Sequence, residues 1–329
     1  MKAKKIIVVG AGRWSNKMHL PAIVPLVQQK KIEVCGVCDL NLTEAKHFAE
    51  KVNCKYVAAQ FEELVALTKP DGAVLLVPPA IMPKVIRSCI QLNLPFLCEK
   101  PPAIDSNDHR ELMEKVGSLP HIVGYNRRSA PFINQAVEWV KGKSLDSINC
   151  DFMRVRRVDE DFSTTYIHGI DAVIYLSGSE PEKISAEIQY KGNYENIFLT
   201  GQMKNGINFH IRIMPNVASS REKYTLRGEN ISIDVSFSQG VSIDSPGYAE
   251  IHQNDKIIEH KAPFDYAIPF DDFVSLGGFA NEHQAFCDIL NQKNDFRSTL
   301  QKTFASQQIR DILCDAVKNK KPTVFCQII

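Results

Sequence analysis

The stretch from Ile6 to Ser15 has residue types whose order could bind a negatively charged group. An apolar, β-branched run ends at Gly10, and the following letters read GAGRWS before a helical pattern of apolar residues begins. Gly10 permits a tight turn, Gly12 lets the backbone approach a ligand closely, and the free N–H groups of a helix start favour negative charge. A strand, a glycine turn and a helix in this order are typical of a site for the pyrophosphate of a dinucleotide. The residues of this turn expected to bind a cofactor are Gly10, Gly12, Arg13, Trp14 and Ser15, with Ser15 standing where the pattern usually has a third glycine.

Asp39 ends the second strand-like stretch, Lys31–Asp39, and could choose between two forms of that cofactor. A carboxylate at this position accepts hydrogen bonds from the ribose hydroxyls of a dinucleotide and repels a 2′-phosphate. Because Leu40 follows and no arginine is adjacent, the sequence favours NAD over NADP. The alternative is that Asp39 begins a turn and caps the helix that starts near Thr43.

Two further strand-like stretches end in residues suited to the same site. One apolar run is closed by Pro78 and Pro79, and the next is followed by Glu99, Lys100 and Pro101. Ligands of parallel α/β sheets bind beyond the carboxyl ends of the strands, so we expect these residues to line the cofactor site. A lysine that is partly desolvated there, close to an oxidised nicotinamide, would have a lowered pKa and could exchange a proton with a substrate hydroxyl. The alternative for Lys100 is an exposed Lys-Pro turn.

A second set of candidate residues lies in the middle of the chain. His168 and Asp171 open the helix expected near Ile167–Leu176, and their spacing of three places them on one helix face. Histidine titrates near neutral pH, so the pair suits proton transfer, or else it satisfies the caps and dipole of the helix N-terminus. Upstream, Arg127 and Arg128 could hold a carboxylate or phosphate of the substrate, or they could form ordinary salt bridges. Asn126 is a further candidate for substrate contact.

The order of strands and helices predicts two domains. Over residues 1–125, short apolar strands alternate with helical segments, which indicates an α/β Rossmann domain with a doubly wound parallel sheet. Residues 126–329 are expected to form an α+β domain for substrate binding and oligomerisation, with a large, mostly antiparallel sheet covered by helices on one face. Its polar face is a candidate interface of a homodimer or homotetramer. The last helices, expected near Asn281–Leu290 and Thr299–Lys318, would pack back against one of the domains.

Composition narrows the classes of partner. The 329 residues include 39 basic and 38 acidic side chains, for a formal net charge of +1, which does not favour a nucleic-acid partner. We expect no signal peptide and no membrane-spanning segment, because the apolar stretches are short and interrupted. Nine cysteines without a framework spacing indicate reduced thiols in a cytoplasm, and no spacing indicates a metal site.

These motifs together resemble the Gfo/Idh/MocA family of NAD(P)-dependent sugar and sugar-derivative oxidoreductases. The resemblance rests on the GxGxxS turn, the strand that ends in Pro-Pro, the tripeptide EKP and the mixed α+β second half. Residues 123–128, VGYNRR, resemble the segment of these proteins that crosses between domains. Residues 281–286, NEHQAF, resemble the start of their closing helices.

The resemblance implies roles for particular residues. Lys100 corresponds to the active-site lysine, and His168 to the histidine that assists proton transfer, with Asp171 orienting its ring or meeting the substrate. Thr164 and Tyr166 stand where the family commonly has aspartate and glycine. The resemblance therefore leaves Asp161, or the hydroxyl of Tyr166, as the group that takes the aspartate's place.

The function expected from the resemblance is hydride transfer between nicotinamide and a secondary hydroxyl or ketone of a sugar, a sugar derivative or a nucleotide sugar. The segment Tyr125–Arg128 resembles the form found in relatives that act on nucleotide-linked sugars. Two alternatives stay open. Thr164 and Tyr166 permit a regulatory or scaffold protein with weakened catalysis, and the same scaffold could reduce a substrate other than a sugar.

Overall fold

The structure is a computed structural model that describes residues 3–159, 162–237, 243, 245–293 and 297–328. The chain divides into two compact units. The first comprises Met1–Asn126 and Phe279–Phe304, and the second Arg127–Gly278 and Ala305–Ile329. Asp161, expected above as a candidate carboxylate, lies outside the described residues.

The first unit contains a sheet of six parallel strands in the order β3-β2-β1-β4-β5-β6. The prediction of a doubly wound parallel sheet is confirmed. Its strands are β1 (Lys4–Val9), β2 (Ile32–Cys38), β3 (Val57–Ala58), β4 (Gly72–Leu75), β5 (Phe96–Glu99) and β6 (His121–Gly124). The helices between them are α1 (Leu20–Gln28), α2 (Leu42–Lys51), α3 (Phe61–Thr68), α4 (Met82–Gln91) and α5 (Ser106–Val116).

The second unit contains a nine-stranded sheet in the order β14-β13-β12-β11-β7-β10-β9-β8-β15. Its pairs are antiparallel except for β7 with β10, so the expected large, mostly antiparallel sheet is confirmed. Its strands are β7 (Ser147–Met153), β8 (Pro181–Lys191), β9 (Tyr194–Met203), β10 (Asn208–Met214), β11 (Arg221–Gly228), β12 (Ile231–Ser236), β13 (Tyr248–Gln253), β14 (Lys256–Lys261) and β15 (Thr323–Gln327). The remaining α-helices of the described residues are α6 (Pro131–Val140), α7 (Ser163–Ser177), α8 (Phe273–Leu276), α9 (Phe279–Leu290) and α10 (Leu300–Lys318).

Side-chain alternation explains how each sheet is buried. The parallel strands are apolar on both faces, and Ile7 and Val8 of β1 are both fully buried. In β10 of the second unit, Phe209 and Ile211 enter the core while His210 and its polar neighbours are exposed. Helix α9 belongs to the first unit, where Phe286 joins the core of the parallel sheet. Within the described part of the chain, no helix has the length and hydropathy to cross a membrane.

Two buried histidines fasten the start of α10 within the first unit. His121 Nε2 accepts the backbone N–H of Leu300 at 3.0 Å, while its Nδ1 is 2.7 Å from the carbonyl oxygen of Leu119. His109 Nε2 donates to the carbonyl oxygen of Leu300 at 2.9 Å. Burial lowers the pKa of His109 to about 4 and also lowers the pKa of His121. Both rings are therefore neutral in the folded chain near neutral pH.

These histidines are expected to make the first unit acid-sensitive. Because the folded pKa of each lies below its ordinary value of 6.5, the unfolded chain takes up protons first, and the free energy of unfolding falls as pH falls. The His109 shift alone corresponds to a loss on the order of 3 kcal/mol between pH 6.5 and about pH 4. The free energy of unfolding is measured by urea titration monitored by circular dichroism. It should depend less steeply on pH in the double variant His109→Gln/His121→Gln than in the parent protein. The exposed His47→Gln serves as control, and an equally steep slope in the double variant would refute this role.

Candidate active site

The glycine turn between β1 and α1 has the geometry of a ligand-binding turn. Gly10 has φ +97°, and a Cβ there would lie 2.4 Å from the carbonyl oxygen of Leu76. A side chain is thus excluded at Gly10 by both backbone conformation and space. At Gly12 an added Cβ would meet no described atom within 4 Å, so the backbone is open to an approaching ligand. Ser15 is buried and begins a π-helical turn, Ser15–His19, that leads into α1.

Asp39 is hydrogen-bonded to this turn. Its Oδ2 accepts the backbone N–H of Ala11 at 2.7 Å, and its Oδ1 accepts the N–H of Asn41 at 2.8 Å. Asp39 thus begins a turn before Asn41, as the alternative interpretation has it. It does not cap the helix, because Asn41 is the N-cap of α2 and its side chain accepts the N–H groups of Thr43 and Glu44. The Asp39 carboxylate therefore lies beside the glycine turn at the carboxyl end of β2.

The other predicted cofactor residues follow strand ends on the same edge of the sheet. Because β1, β2, β4 and β5 are parallel, their carboxyl ends lie together. Pro78 and Pro79 come after β4 and are exposed, as are Arg13 and Trp14 in the glycine turn. Lys100, directly after β5, is half-buried and precedes a cis proline.

Glu99, the last residue of β5, connects three segments of the first unit. Its Oε1 accepts hydrogen bonds from Trp14 Nε1 at 3.1 Å and His19 Nε2 at 2.8 Å, and its Oε2 accepts the Lys100 N–H at 3.1 Å. His19 Nδ1 lies 3.0 Å from Nε2 of His283 in α9. Burial raises the pKa of Glu99, but the hydrogen bond and charge of His19, with Lys100 and Trp14, outweigh it and hold that pKa below its ordinary value.

In the second unit, α7 begins earlier than expected. The prediction that His168 opens this helix is wrong, because α7 starts at Ser163 and His168 lies in its second turn. Aromatic packing extends the helix, since the rings of Phe162 and Tyr166 are 5.7 Å apart in the core. His168 is buried, and Thr164 is half-buried in the first turn.

Asp171 is fully buried, and its carboxylate has three polar partners. Arg128 Nε and one terminal guanidinium nitrogen each donate to it at 2.8 Å, and Ser306 Oγ donates to Oδ1 at 2.8 Å. Tyr166 is also buried, with its hydroxyl 3.7 Å from Cys314 Sγ. These contacts tie Asp171 and Tyr166 to groups other than the ring of His168.

Arg127 belongs to a second buried ionic cluster. It donates from Nε and a terminal nitrogen to the two carboxylate oxygens of Glu222, each at 2.9 Å. Arg154 and the hydroxyl of Tyr224 donate to the same carboxylate. Burial raises the pKa of Glu222, but the two arginines outweigh it and lower that pKa to about 2. Both arginines considered above for an anionic substrate are thus paired with buried carboxylates. Asn126, the last residue of the first unit before Arg127, is buried.

The sequence interpretation missed His19 and His283. The available signal was a histidine within an apolar helical pattern, LPAIVPLV following His19, where a buried ring needs a polar partner. Across the described residues, no group of three or more histidine, cysteine or acidic side chains could hold a metal ion.

Comparisons with known proteins find similarity to oxidoreductases. The model of the Gfo/Idh/MocA family, described as an oxidoreductase family with an NAD-binding Rossmann fold, matches residues 4–126. Inositol 2-dehydrogenase of Corynebacterium glutamicum (strain R) is 23% identical over 235 residues, which cover 66% of this chain and 68% of that protein. D-glucoside 3-dehydrogenase of Escherichia coli (strain K12) is 24% identical over 122 residues, covering 37% of this chain and 34% of the relative.

Solved structures match nearly the whole chain. A dehydrogenase from Chromobacterium violaceum has a TM-score of 0.83 at 15% identity and covers 97% of both chains. A Gfo/Idh/MocA family oxidoreductase from Vibrio cholerae has a TM-score of 0.79 at 17% identity, covering 97% of this chain and 99% of its own. At these identities the likeness shows the fold alone. Residues 4–126 therefore match the model of the NAD-binding domain of the Gfo/Idh/MocA family, and the chain has the fold of the solved dehydrogenases to which it is similar.

Proposed function

We propose that the chain is an NAD-dependent dehydrogenase that interconverts a secondary hydroxyl and a ketone on a sugar or a related polyol. The observation that carries this proposal is the open glycine turn hydrogen-bonded to the Asp39 carboxylate at the carboxyl edge of the parallel sheet. The inositol and glucoside dehydrogenases to which the chain is similar support a polyhydroxylated ring as substrate. Because these relatives are named as dehydrogenases, they favour turnover over a scaffold role.

The cofactor would be held by the turn and the strand ends of the first unit. The open backbone at Gly12 suits close approach of a pyrophosphate, and Asp39 suits hydrogen bonds from ribose hydroxyls. A 2′-phosphate would meet the negative charge of Asp39, which favours NAD over NADP. When bound, NAD supplies the ring that accepts or returns the hydride.

Lys100 and His168 would manage the proton of the reacting hydroxyl. The half-buried Lys100 can donate a hydrogen bond to the substrate oxygen, and the imidazole of His168 can take or return its proton. The Glu99 carboxylate fixes the backbone N–H of Lys100, so the lysine begins from a defined backbone position. Asp171 and Arg128 form an ion pair with each other. We therefore assign this pair to holding α7 and not to binding the substrate.

The ion pairs of Arg127 and Arg128 with buried carboxylates indicate which charge the substrate carries. Both guanidinium groups form two-point contacts with buried carboxylates, Glu222 and Asp171 respectively. Both guanidinium groups are therefore engaged by carboxylates of the protein itself. This favours an uncharged polyol or glycoside over a nucleotide sugar as the substrate.

We further propose a homo-oligomer and a reducing compartment. The polar face of the nine-stranded sheet, which carries exposed residues such as His210 and Arg212, would form the interface of a dimer or tetramer. All nine cysteines are free thiols, which supports a cytoplasmic location.

Replacement of Lys100 by alanine tests the catalytic part of the proposal. We expect kcat to fall by about 10²- to 10³-fold, because a positioned proton-transfer group is lost, while NADH affinity changes little. The measurement is NADH formation with the best sugar substrate, alongside a fluorescence titration of NADH. Lys51→Ala, at an exposed position at the end of α2, is the matched control. Retention of full kcat in Lys100→Ala would remove the mechanism.

Asp39→Asn tests cofactor selection without removing the turn contact, because the amide oxygen can still accept the Ala11 N–H. We expect the ratio of NADPH affinity to NADH affinity to rise by about tenfold, or about 1.4 kcal/mol, since the repelling charge is gone. Calorimetric titration of both cofactors gives the ratio. Asp71→Asn is the control, because Asp71 accepts the N–H of Lys5 at the opposite edge of the sheet. An unchanged ratio in Asp39→Asn would show that Asp39 does not select the cofactor.

A further inference from the structure

A group of five polar side chains, four of them buried and the fifth the half-exposed Trp14, lies next to the Lys100 turn in the first unit. We call it the Glu99 cluster, and its members are Trp14, His19, Glu99, Glu282 and His283. Trp14 and His19 donate to Glu99 Oε1, and His19 in turn contacts His283. His19 and His283 are 0% and 2% exposed, respectively. The cluster joins four segments: the glycine turn, the π-helical turn, the end of β5 and helix α9.

The π-helical turn and the packing of α9 orient the His19 ring toward Glu99. The turn Ser15–His19 is π-helical, a form that is rare and concentrated at functional sites. The His19 ring packs edge-on against Phe279, with centroids 5.5 Å apart, and against His283 at 5.2 Å. Helix α9 therefore closes over the ring and leaves Glu99 as the acceptor for Nε2.

Hydrogen-bond donors and acceptors constrain the protons of the cluster. His19 Nε2 carries the proton that it donates to Glu99, and one of the two facing nitrogens, His19 Nδ1 or His283 Nε2, carries another. Burial, then the charge of His19, lowers the pKa of His283 well below its ordinary value. Burial, then the charge of Glu99, raises the pKa of Glu282 well above its own. Both shifts favour the neutral forms of His283 and Glu282, whereas the shift of Glu99 favours its carboxylate form.

Glu282 has a separate constraint. It is 1% exposed, and its Oε1 has no hydrogen-bond partner among the described residues. A Cβ on Gly124 would lie 3.3 Å from this oxygen, so glycine at the end of β6 leaves room for the acid. A second ionised carboxylate here, next to Glu99, would be repelled, which agrees with a protonated Glu282.

We propose that His19 and His283 are positioning residues for hydride transfer, which act by holding Glu99. Oε1 of Glu99 holds the indole of Trp14 in the glycine turn, and Oε2 holds the backbone N–H of Lys100. The cofactor turn and the lysine turn are therefore fixed to the same carboxylate. Loss of the His19 bond would let both turns shift, with a larger effect on kcat than on the KM of the substrate. The effect on the reaction rests on the function proposed above, whereas the Glu99 contacts do not.

Two pairs of variants separate positioning from general packing. His19→Gln keeps an N–H donor near the position of Nε2, whereas His19→Asn keeps one only near Nδ1. We expect kcat to fall by about 10²-fold in His19→Asn and to be largely restored in His19→Gln. At His283, the Gln variant keeps a hydrogen-bonding group near the position of Nε2, whereas the Asn variant does not. We therefore expect His283→Gln to have a higher kcat than His283→Asn. His109→Gln, at a buried histidine of the same unit outside the cluster, is the control.

Trp14 provides a readout that needs no turnover. In a Trp139→Phe background, Trp14 is the one remaining tryptophan of the chain's two, and its emission reports the indole bond to Glu99. We expect the emission of the cofactor-free protein to change in His19→Asn and to stay near the parent in His19→Gln and His109→Gln. Equal kcat and emission in the Gln and Asn variants at both positions would overturn the proposal. If the parent protein has no activity but the emission follows this order, the positioning of Glu99 stands and the proposed reaction fails.

Discussion

A single buried carboxylate organises the carboxyl edge of the parallel sheet. Glu99 is 8% exposed and accepts hydrogen bonds from the glycine turn, the start of α1 and the backbone of Lys100. Taking a carboxylate out of water is costly unless hydrogen bonds and opposite charge compensate. The compensation comes from groups that belong to the candidate site, so the stability of this charge and the geometry of the site depend on each other.

The second unit follows the same physical constraint with different partners. Asp171 and Glu222 are fully buried, and each carboxylate is matched by a bidentate arginine, Arg128 and Arg127 respectively. Removing one partner of such a pair would leave an uncompensated buried charge, which commonly costs 3–5 kcal/mol, on the order of a whole domain's net stability margin. These pairs connect α7 and β11 to residues 127–128 at the start of the second unit. Arginines adjacent in sequence, at 127 and 128, thus serve the framework of that unit.

The sequence predicted the architecture well where burial is periodic. The near-continuous apolar strands of the first unit and the alternating strands of the second both appear as expected, because each pattern has a direct physical cause in two-sided or one-sided burial. Helix α5 was not predicted, since it buries little besides His109, Leu112 and Val116, although Asp105 caps its start. The start of α7 at Ser163 was also not predicted. Phe162 and Tyr166 continue the apolar face of the helix upstream of His168, where the sequence pattern predicts its first turn.

Parts of the candidate site were beyond prediction because they depend on long-range contacts. Asp39 could be chosen from its place at a strand end. The buried partners of Glu99 could not be predicted, because they are far apart in sequence. His19 lies 80 residues before Glu99, and His283, which contacts His19, lies 264 residues after His19. Likewise, nothing local pairs Arg127 with Glu222, 95 residues away. The sequence therefore suggests candidates for ligand contact more readily than it suggests the residues that position them.

The most direct test of the proposed dehydrogenase activity is to incubate the purified protein with NAD⁺ and a panel of sugars. NADH formation is monitored by its absorbance. The panel would contain inositols, glycosides, free sugars and nucleotide sugars, with reduction of the matching ketones measured in reverse. We expect NADH formation with at least one uncharged polyol or glycoside, at a higher rate than with any nucleotide sugar. Saturable NADH binding without turnover of any panel member in either direction would contradict it.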